Sequence, residues 1–158
     1  MALSVEEALE LIYTLTKPTQ TEIIPIENAI HRVIAQSITA RYCLPSFDNS
    51  AMDGYAVRVE DAGKTLIQSC TVFAGDAQDI RLIEDQCIRI MTGAKIPQGC
   101  EAIVPIEEVK VDGDNVALPH TIKPSQHIRL KGEDIQSGME LIKADRKSTR
   151  LNSSHVSQ

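Results

Sequence analysis

The chain has no tryptophan, and aromatic residues make up only 3% of its 158 positions. Any core must therefore be filled by Ile, Val, Leu and Ala, which favours small, β-branched packing. Cations are scarce relative to anions, 16 Lys and Arg against 22 Asp and Glu, for a net charge of −6. That balance excludes the broad basic surface that nucleic acid requires, although a local cluster of donors could still hold a small anion. No apolar run approaches the roughly 18 residues that cross a membrane, and no apolar leader follows a basic start, so no membrane partner is expected and the cytoplasm is the expected compartment. Cys43, Cys70, Cys87 and Cys100 form no CxxC pair, and His31, His120, His127 and His155 stand at no zinc-like spacing. Reduced thiols and no His/Cys metal site follow. Gly93-Ala94-Lys95 lacks the spaced glycines and the trailing Ser or Thr of a phosphate loop, which removes that reading.

What is present starts with a helix. Ser4 and Glu7 have the spacing of a capping box, and Val5, Ala8, Leu9, Ile12 and Leu15 recur on one face before Pro18 stops the run. Residues 22–26 are β-branched but carry Pro25, so they read as an edge strand or extended segment; residues 27–35 read as a second short helix. From about residue 38 the texture changes to short apolar runs divided by Gly, Pro, Asp and Asn. The strands expected there are 54–59, 66–74, 87–91, 102–105, 108–111 and 116–118, with a hairpin turn at Asp112-Gly113-Asp114-Asn115. The expected fold class is α+β: a discontinuous α/β subdomain of residues 1–39 and 120–146, with a β-rich, barrel-like subdomain inserted at 40–119. Residues 147–158 are polar and Ser-rich, which reads as a disordered tail.

Three segments concentrate polar chemistry. The first, from Leu44 to Arg58, packs two carboxylates (Asp48 and Asp53), an amide (Asn49) and two hydroxyls (Ser46 and Ser50) between a Pro-led loop and a strand. The residues by themselves favour turn chemistry, in which Asp and Asn cap their own backbone. The alternative is that Asp53, at the mouth of a strand, binds a metal ion or relays a proton. In the second segment, from Arg89 to Pro105, a strand ends at Thr92-Gly93, where a hydroxyl and nearby amides could face an oxyanion. The third, Arg129-Leu130-Lys131-Gly132-Glu133-Asp134, sets two cations against two anions around a glycine. It reads as a solvated turn with weak ion pairs, or as a phosphate contact through Arg129 and Lys131.

Taken together and in this order, FDNSAMDGYAV, RIMTGAKIPQGCEAIVP and RLKGEDIQSG resemble the hallmark stretches of the molybdopterin molybdenumtransferase family, which includes bacterial enzymes and the C-terminal region of the scaffold gephyrin. The likeness runs from about Val5 to Asp145. It implies a role in molybdenum cofactor biosynthesis, with molybdate inserted into adenylylated molybdopterin and AMP released in a Mg²⁺-dependent step. It also implies a homodimer whose active site lies between the β-rich subdomain of one subunit and an α/β domain of the other. By position, Asp53 and Thr92 become the catalytic candidates, and Asn49, Ser50, Arg129 and Lys131 the substrate-binding ones. Asp53 would handle a proton or metal-bound water; Thr92 would hydrogen-bond molybdate or phosphate oxygens. Many family members carry Arg where this chain has Leu130 and Lys131. Nothing after Asp145 resembles the α/β domain, so no complete metal site is expected within these residues, and the chain alone is not expected to insert molybdenum. The alternative from another class is a non-catalytic scaffolding module of the same fold.

Overall fold

Ser4 and Glu7 close the expected capping box, with the Glu7 N–H donating to the Ser4 hydroxyl at 3.2 Å and the Ser4 N–H to Glu7 Oε2 at 2.8 Å. These bonds satisfy donors that the first turn leaves free, and α1 runs Val5–Leu15. The computed structural model describes residues 3–17, 19–76 and 79–147. Pro18, expected to stop the helix, lies outside the described residues, as do 148–158 of the expected tail.

Ten strands follow among the described residues: β1 (Ile38–Thr39), β2 (Asn49–Ser50), β3 (Gly54–Val57), β4 (Thr65–Val72), β5 (Gln86–Ile90), β6 (Ala102–Pro105), β7 (Lys110–Asp112), β8 (Asn115–Ala117), β9 (Ile128–Arg129) and β10 (Glu140–Ile142). The fold is α+β, with strands in the majority. Two compact units divide it: Met1–Ile38 with Leu141–Gln158, and Thr39–Glu140.

In the first unit, α1 buries none of its residues, and Val5, Leu9 and Ile12 are 72%, 46% and 54% exposed. One expectation fails in this unit. Of the two readings of residues 22–26, the strand does not form; Pro25 has no N–H to donate and Ile23 is fully exposed. Residues 27–35 form no α-helix; a single 3₁₀ turn, Ile26–Asn28, is all that forms. His31 sits at φ 63, in the left-handed region that a continuing helix cannot use. The segment after it is instead bound to the returning chain, with Ile34 N–H donating to the Arg146 carbonyl and Asp145 N–H to the Ile34 carbonyl.

The second unit is built on an open six-stranded sheet in the order β6-β3-β5-β4-β8-β7. Strand β3 is antiparallel to both β5 and β6, β4 and β5 are parallel, and β7 and β8 form the hairpin around Gly113. All four β3 residues are buried because both sheet faces are covered. Tyr55 and Val57 pack with Leu66, Cys87, Val104 and Val116 on one face, and Ala56 packs with Val72, Ile88, Ile90 and Ile103 on the other. Each fully buried Ile or Val contributes about 1.5–3 kcal/mol, so these aliphatics carry the stability that the missing aromatics do not. Burial pushes the Cys87 and Cys100 thiols up to about 11, and the four cysteines are free.

The inserted unit extends further than expected. Residues 120–140, assigned from the sequence to the first subdomain, belong to the second unit. Ile122 is drawn into the core beside Leu118, and β9 pairs antiparallel with β2. Hydrophobic burial of Ile122 and the β2–β9 ladder are long-range terms that residue texture does not reveal.

Gly54 shows how closely the centre is packed: a Cβ built there would lie 2.3 Å from the Val104 carbonyl oxygen on β6. Gly54→Ala should therefore destabilise the second unit by about 3 kcal/mol, read from urea denaturation. A loss below about 1 kcal/mol would refute this account of the β3–β6 contact.

Candidate functional site

Two loops meet because Ser50 pins them. Its N–H donates to the Ala94 carbonyl at 3.0 Å, and its carbonyl accepts from the Gly93 N–H at 2.8 Å. Gly93, at φ 81, makes the turn after β5 that allows this docking. The Ser50 hydroxyl donates to the Met52 carbonyl at 2.5 Å and accepts from the Met52 N–H at 3.4 Å, which shapes the turn into β3. Ser50 is 1% exposed and Asn49 7%. Asn49 Nδ2 donates to the Phe47 carbonyl at 3.3 Å. Both substrate-binding candidates are thus buried, with these side-chain hydrogen bonds made within their own loop.

The docking brings together the two catalytic candidates. Asp53 Oδ1 accepts from both the Thr92 N–H and the Thr92 hydroxyl, each at 2.7 Å. The Thr92 hydroxyl bond, then its amide bond, hold Asp53 below the ordinary value of 3.8; desolvation opposes the shift and the Arg89 charge reinforces it. Asp53 is thus a carboxylate at neutral pH. Because both Thr92 donors are spent on Asp53, Thr92 has no proton left for an oxyanion in this arrangement. What the pair offers outward is oxygen lone pairs: Asp53 Oδ2, which no hydrogen bond reaches among the described residues, and the Thr92 hydroxyl oxygen. Such a surface suits a cation or a proton donor.

The basic segment lies beside the same loops. Asn49 and Arg129 are cross-strand partners, and the Lys131 backbone N–H donates to Asp48 Oδ1 at 2.7 Å. Arg129 Nη2 is paired with Asp134 Oδ2 at 2.5 Å, so its charge is largely answered within its own turn. The Lys131 ammonium makes no ion pair among the described residues. Of the two cations expected to meet phosphate, Lys131 is the one left open.

Two contributors were not singled out from the sequence. Arg89 lies over the Tyr55 ring, its Cζ 5.1 Å from the centroid, and Asp48 ties the 44–50 loop to the basic turn. Neither had a signal beyond composition, since Arg89 meets the Tyr55 face only through the β3–β5 register. Among the described residues no group of three or more His, Cys, Asp or Glu is placed to hold a metal ion.

Thr92→Ala should raise the Asp53 midpoint toward its ordinary value in a ¹³C NMR pH titration, and an unmoved midpoint would sink the assignment of the shift to Thr92. A depressed carboxylate adds stability that is complete above the ordinary 3.8 and fades as pH falls through the folded midpoint. Below pH 3.8, the wild type should therefore lose more stability on acidification than Thr92→Ala does.

The family model described as "MoeA N-terminal region (domain I and II)" matches residues 3–157, a span that runs into the stretch read as a tail outside the family pattern. The chain is 39% identical to a molybdopterin molybdenumtransferase of Haemophilus influenzae over 132 residues, covering 82% of this chain and 33% of that protein. It is 34% identical to the Bacillus subtilis molybdopterin molybdenumtransferase over 149 residues, 87% of this chain and 35% of that protein. A crystal structure of the molybdopterin biosynthesis moeA protein of Pyrococcus horikoshii superposes with a TM-score of 0.83 at 29% identity, covering 94% of this chain and 41% of that one. The chain spans about a third of the length of the curated relatives it matches. With a family model matched over nearly its whole length, and with the fold of a moeA protein, the chain belongs to the MoeA N-terminal region family.

Proposed function

We propose that this chain supplies the Asp53–Thr92 side of the active site of a molybdopterin molybdenumtransferase, which acts in molybdenum cofactor biosynthesis by inserting molybdate into adenylylated molybdopterin with release of AMP. The observation that carries the reading is the doubly hydrogen-bonded Asp53, an ionised carboxylate fixed at a strand mouth with one oxygen left open. The names of the relatives support the substrate class.

In this reading the Asp53 carboxylate acts through Oδ2, taking a proton from water or from a reacting group while Oδ1 stays locked to Thr92. Thr92 sets the direction of that oxygen and keeps it charged. Lys131 meets a phosphate oxygen of the substrate, and Arg129 braces the turn through Asp134. Asp53 also fits as one ligand of Mg²⁺, an ion that commonly takes one or two carboxylates and fills its other positions with water and phosphate oxygens. Bound there, it would neutralise charge that builds on the pyrophosphate as AMP leaves. These residues supply one side of the site, so turnover is assigned to the longer chains of the family and not to this one alone. The same reading includes a homodimer. Val5, Leu9 and Ile12 form an apolar stripe on α1 that is left exposed, a surface that association would cover.

Asp53→Asn in a full-length family chain carrying these residues should lower molybdenum insertion by about 100-fold or more, measured as cofactor formed from adenylylated molybdopterin and molybdate. Wild-type turnover in the folded variant would end the catalytic reading of Asp53. For the dimer, Ile12→Glu should shift sedimentation of the 158-residue chain toward the monomer; a wild-type chain that sediments as a monomer at all concentrations would count against it.

A further inference from the structure

A groove of about 490 Å³ opens within the second unit, a size that falls in the range of roughly 300–1,000 Å³ typical of small-molecule sites. Its floor is apolar. Ile96, Cys100 and Ile128 line it and pack from below against the core cluster that holds Ala56, Ile88 and Ile103. Burial pushes the Cys100 thiol up to about 11, so the floor carries no charge at neutral pH. Pro124 and Leu130 add apolar surface at the sides. Backbone bonds fix the 124–128 turn: the Ser125 N–H donates to the Glu101 carbonyl, the Ile103 N–H to the Gln126 carbonyl and the Ile128 N–H to the Ser125 carbonyl. The groove is therefore built before any ligand arrives.

The charged part of the lining is acidic: Asp48 and Glu101 border the groove, and among the described residues no lysine or arginine does. Each carboxylate is half used. Asp48 Oδ1 accepts from the Lys131 N–H, and Glu101 Oε2 accepts from the Val59 N–H at 2.9 Å. The second oxygen of each accepts no hydrogen bond among the described residues. These oxygens call for N–H donors. A flat ring with apolar faces and an N–H edge matches both features, its face lying on the aliphatic floor and its edge against a carboxylate. At the Asp48 end, Leu130 is followed by Lys131, whose ammonium makes no ion pair among the described residues. A phosphate belongs at that end, so the donor edge of the ring faces the other carboxylate, Glu101.

We propose that this groove seats the pterin ring of the substrate, the ring N–H and 2-amino group of its 2-amino-4-oxopyrimidine edge donating to Glu101 and its phosphate-bearing side chain directed to Lys131. This rests on the substrate class proposed above. The pterin suits the groove better than the adenine of the same substrate. Its N–H and amino group stand side by side and match a carboxylate, whereas adenine sets an acceptor nitrogen beside its amino group. Guanine shares the pterin edge and is the competing source of the same chemistry.

The test is binding of free pterin to the 158-residue chain, read from the fluorescence of the ring itself. Lumazine, which keeps the bicyclic ring and carries a carbonyl in place of the 2-amino group, is the comparison, with guanosine and adenosine as competitors. Wild type should bind pterin about tenfold more tightly than lumazine, the contribution of one charge-assisted hydrogen bond. Glu101→Gln keeps a carbonyl oxygen for the Val59 N–H, and amide spectra report its folding. It should weaken pterin about tenfold and bring it level with lumazine. A phosphate on the pterin side chain should add affinity in the wild type and none in Lys131→Gln; an equal gain in both overturns the orientation. Equal binding of pterin and lumazine to the wild type, unchanged pterin binding in folded Glu101→Gln, or no binding of either ring at millimolar concentration overturns the proposal, the last leaving the groove to a protein segment. Guanosine binding more tightly than pterin overturns it too, in favour of a nucleobase. None of these measurements involves turnover. Failure of the Asp53 reading is therefore separate: it would appear as wild-type turnover of Asp53→Asn in a full-length family chain, whatever binds in the groove.

Discussion

The candidate site depends on two backbone hydrogen bonds made by one serine. Ser50 accepts from Gly93 and donates to Ala94, which joins the loop entering β3 to the loop leaving β5. The β3–β5 ladder brings Asp53 and Thr92, 39 residues apart, to the same end of the sheet, and the junction fixes the two loops there. The junction is buried, with Ser50 at 1% exposure, so water does not compete for its bonds and each is worth more than its exposed counterpart. Below it, the close approach of β3 and β6 at Gly54 sets the height at which Asp53 emerges. The site is thus held by packing that no functional side chain contributes.

The charge pattern of the pair follows from that geometry. Thr92 gives both of its protons to a single carboxylate oxygen, Asp53 Oδ1. The same economy appears in the basic turn, where Arg129 is answered by Asp134 and Asp48 is engaged by the Lys131 amide. Each of these contacts is partly exposed, so none is a large stability term. Their effect is on direction: among the described residues they leave Asp53 Oδ2 and the Lys131 ammonium without a bonded partner. A negative and a positive group presented from neighbouring loops suit a phosphate-bearing ligand accompanied by a divalent cation.

Much of the local structure was legible in the sequence. The capping box at Ser4 and Glu7 marks the start of α1, and the apolar runs separated by turn residues mark β3 to β8 within one or two residues, as with Gly54–Val57 and Ala102–Pro105, but not the short β1, β2, β9 and β10. These features rest on interactions between residues a few positions apart, so their signals are written locally. The short segments around Pro25 and His31 were misread for the complementary reason. Around Pro25 the backbone bonds are those of a single 3₁₀ turn, and after His31 the chain returning at residues 144–146 binds the segment.

The sequence by itself determined the family, through three polar motifs in order, and with it which residues to suspect. It did not determine what they do. Asn49 and Ser50 look like ligands in the same motif that holds Asp53, yet the β2–β9 pairing buries them. Arg89 looks like one more strand residue, yet its register against Tyr55 places it over that ring. Only the tertiary structure decided these placements. Burial, cross-strand register and the direction of a shared proton arise from contacts between segments tens of residues apart, and residue spacing along the chain carries no record of them.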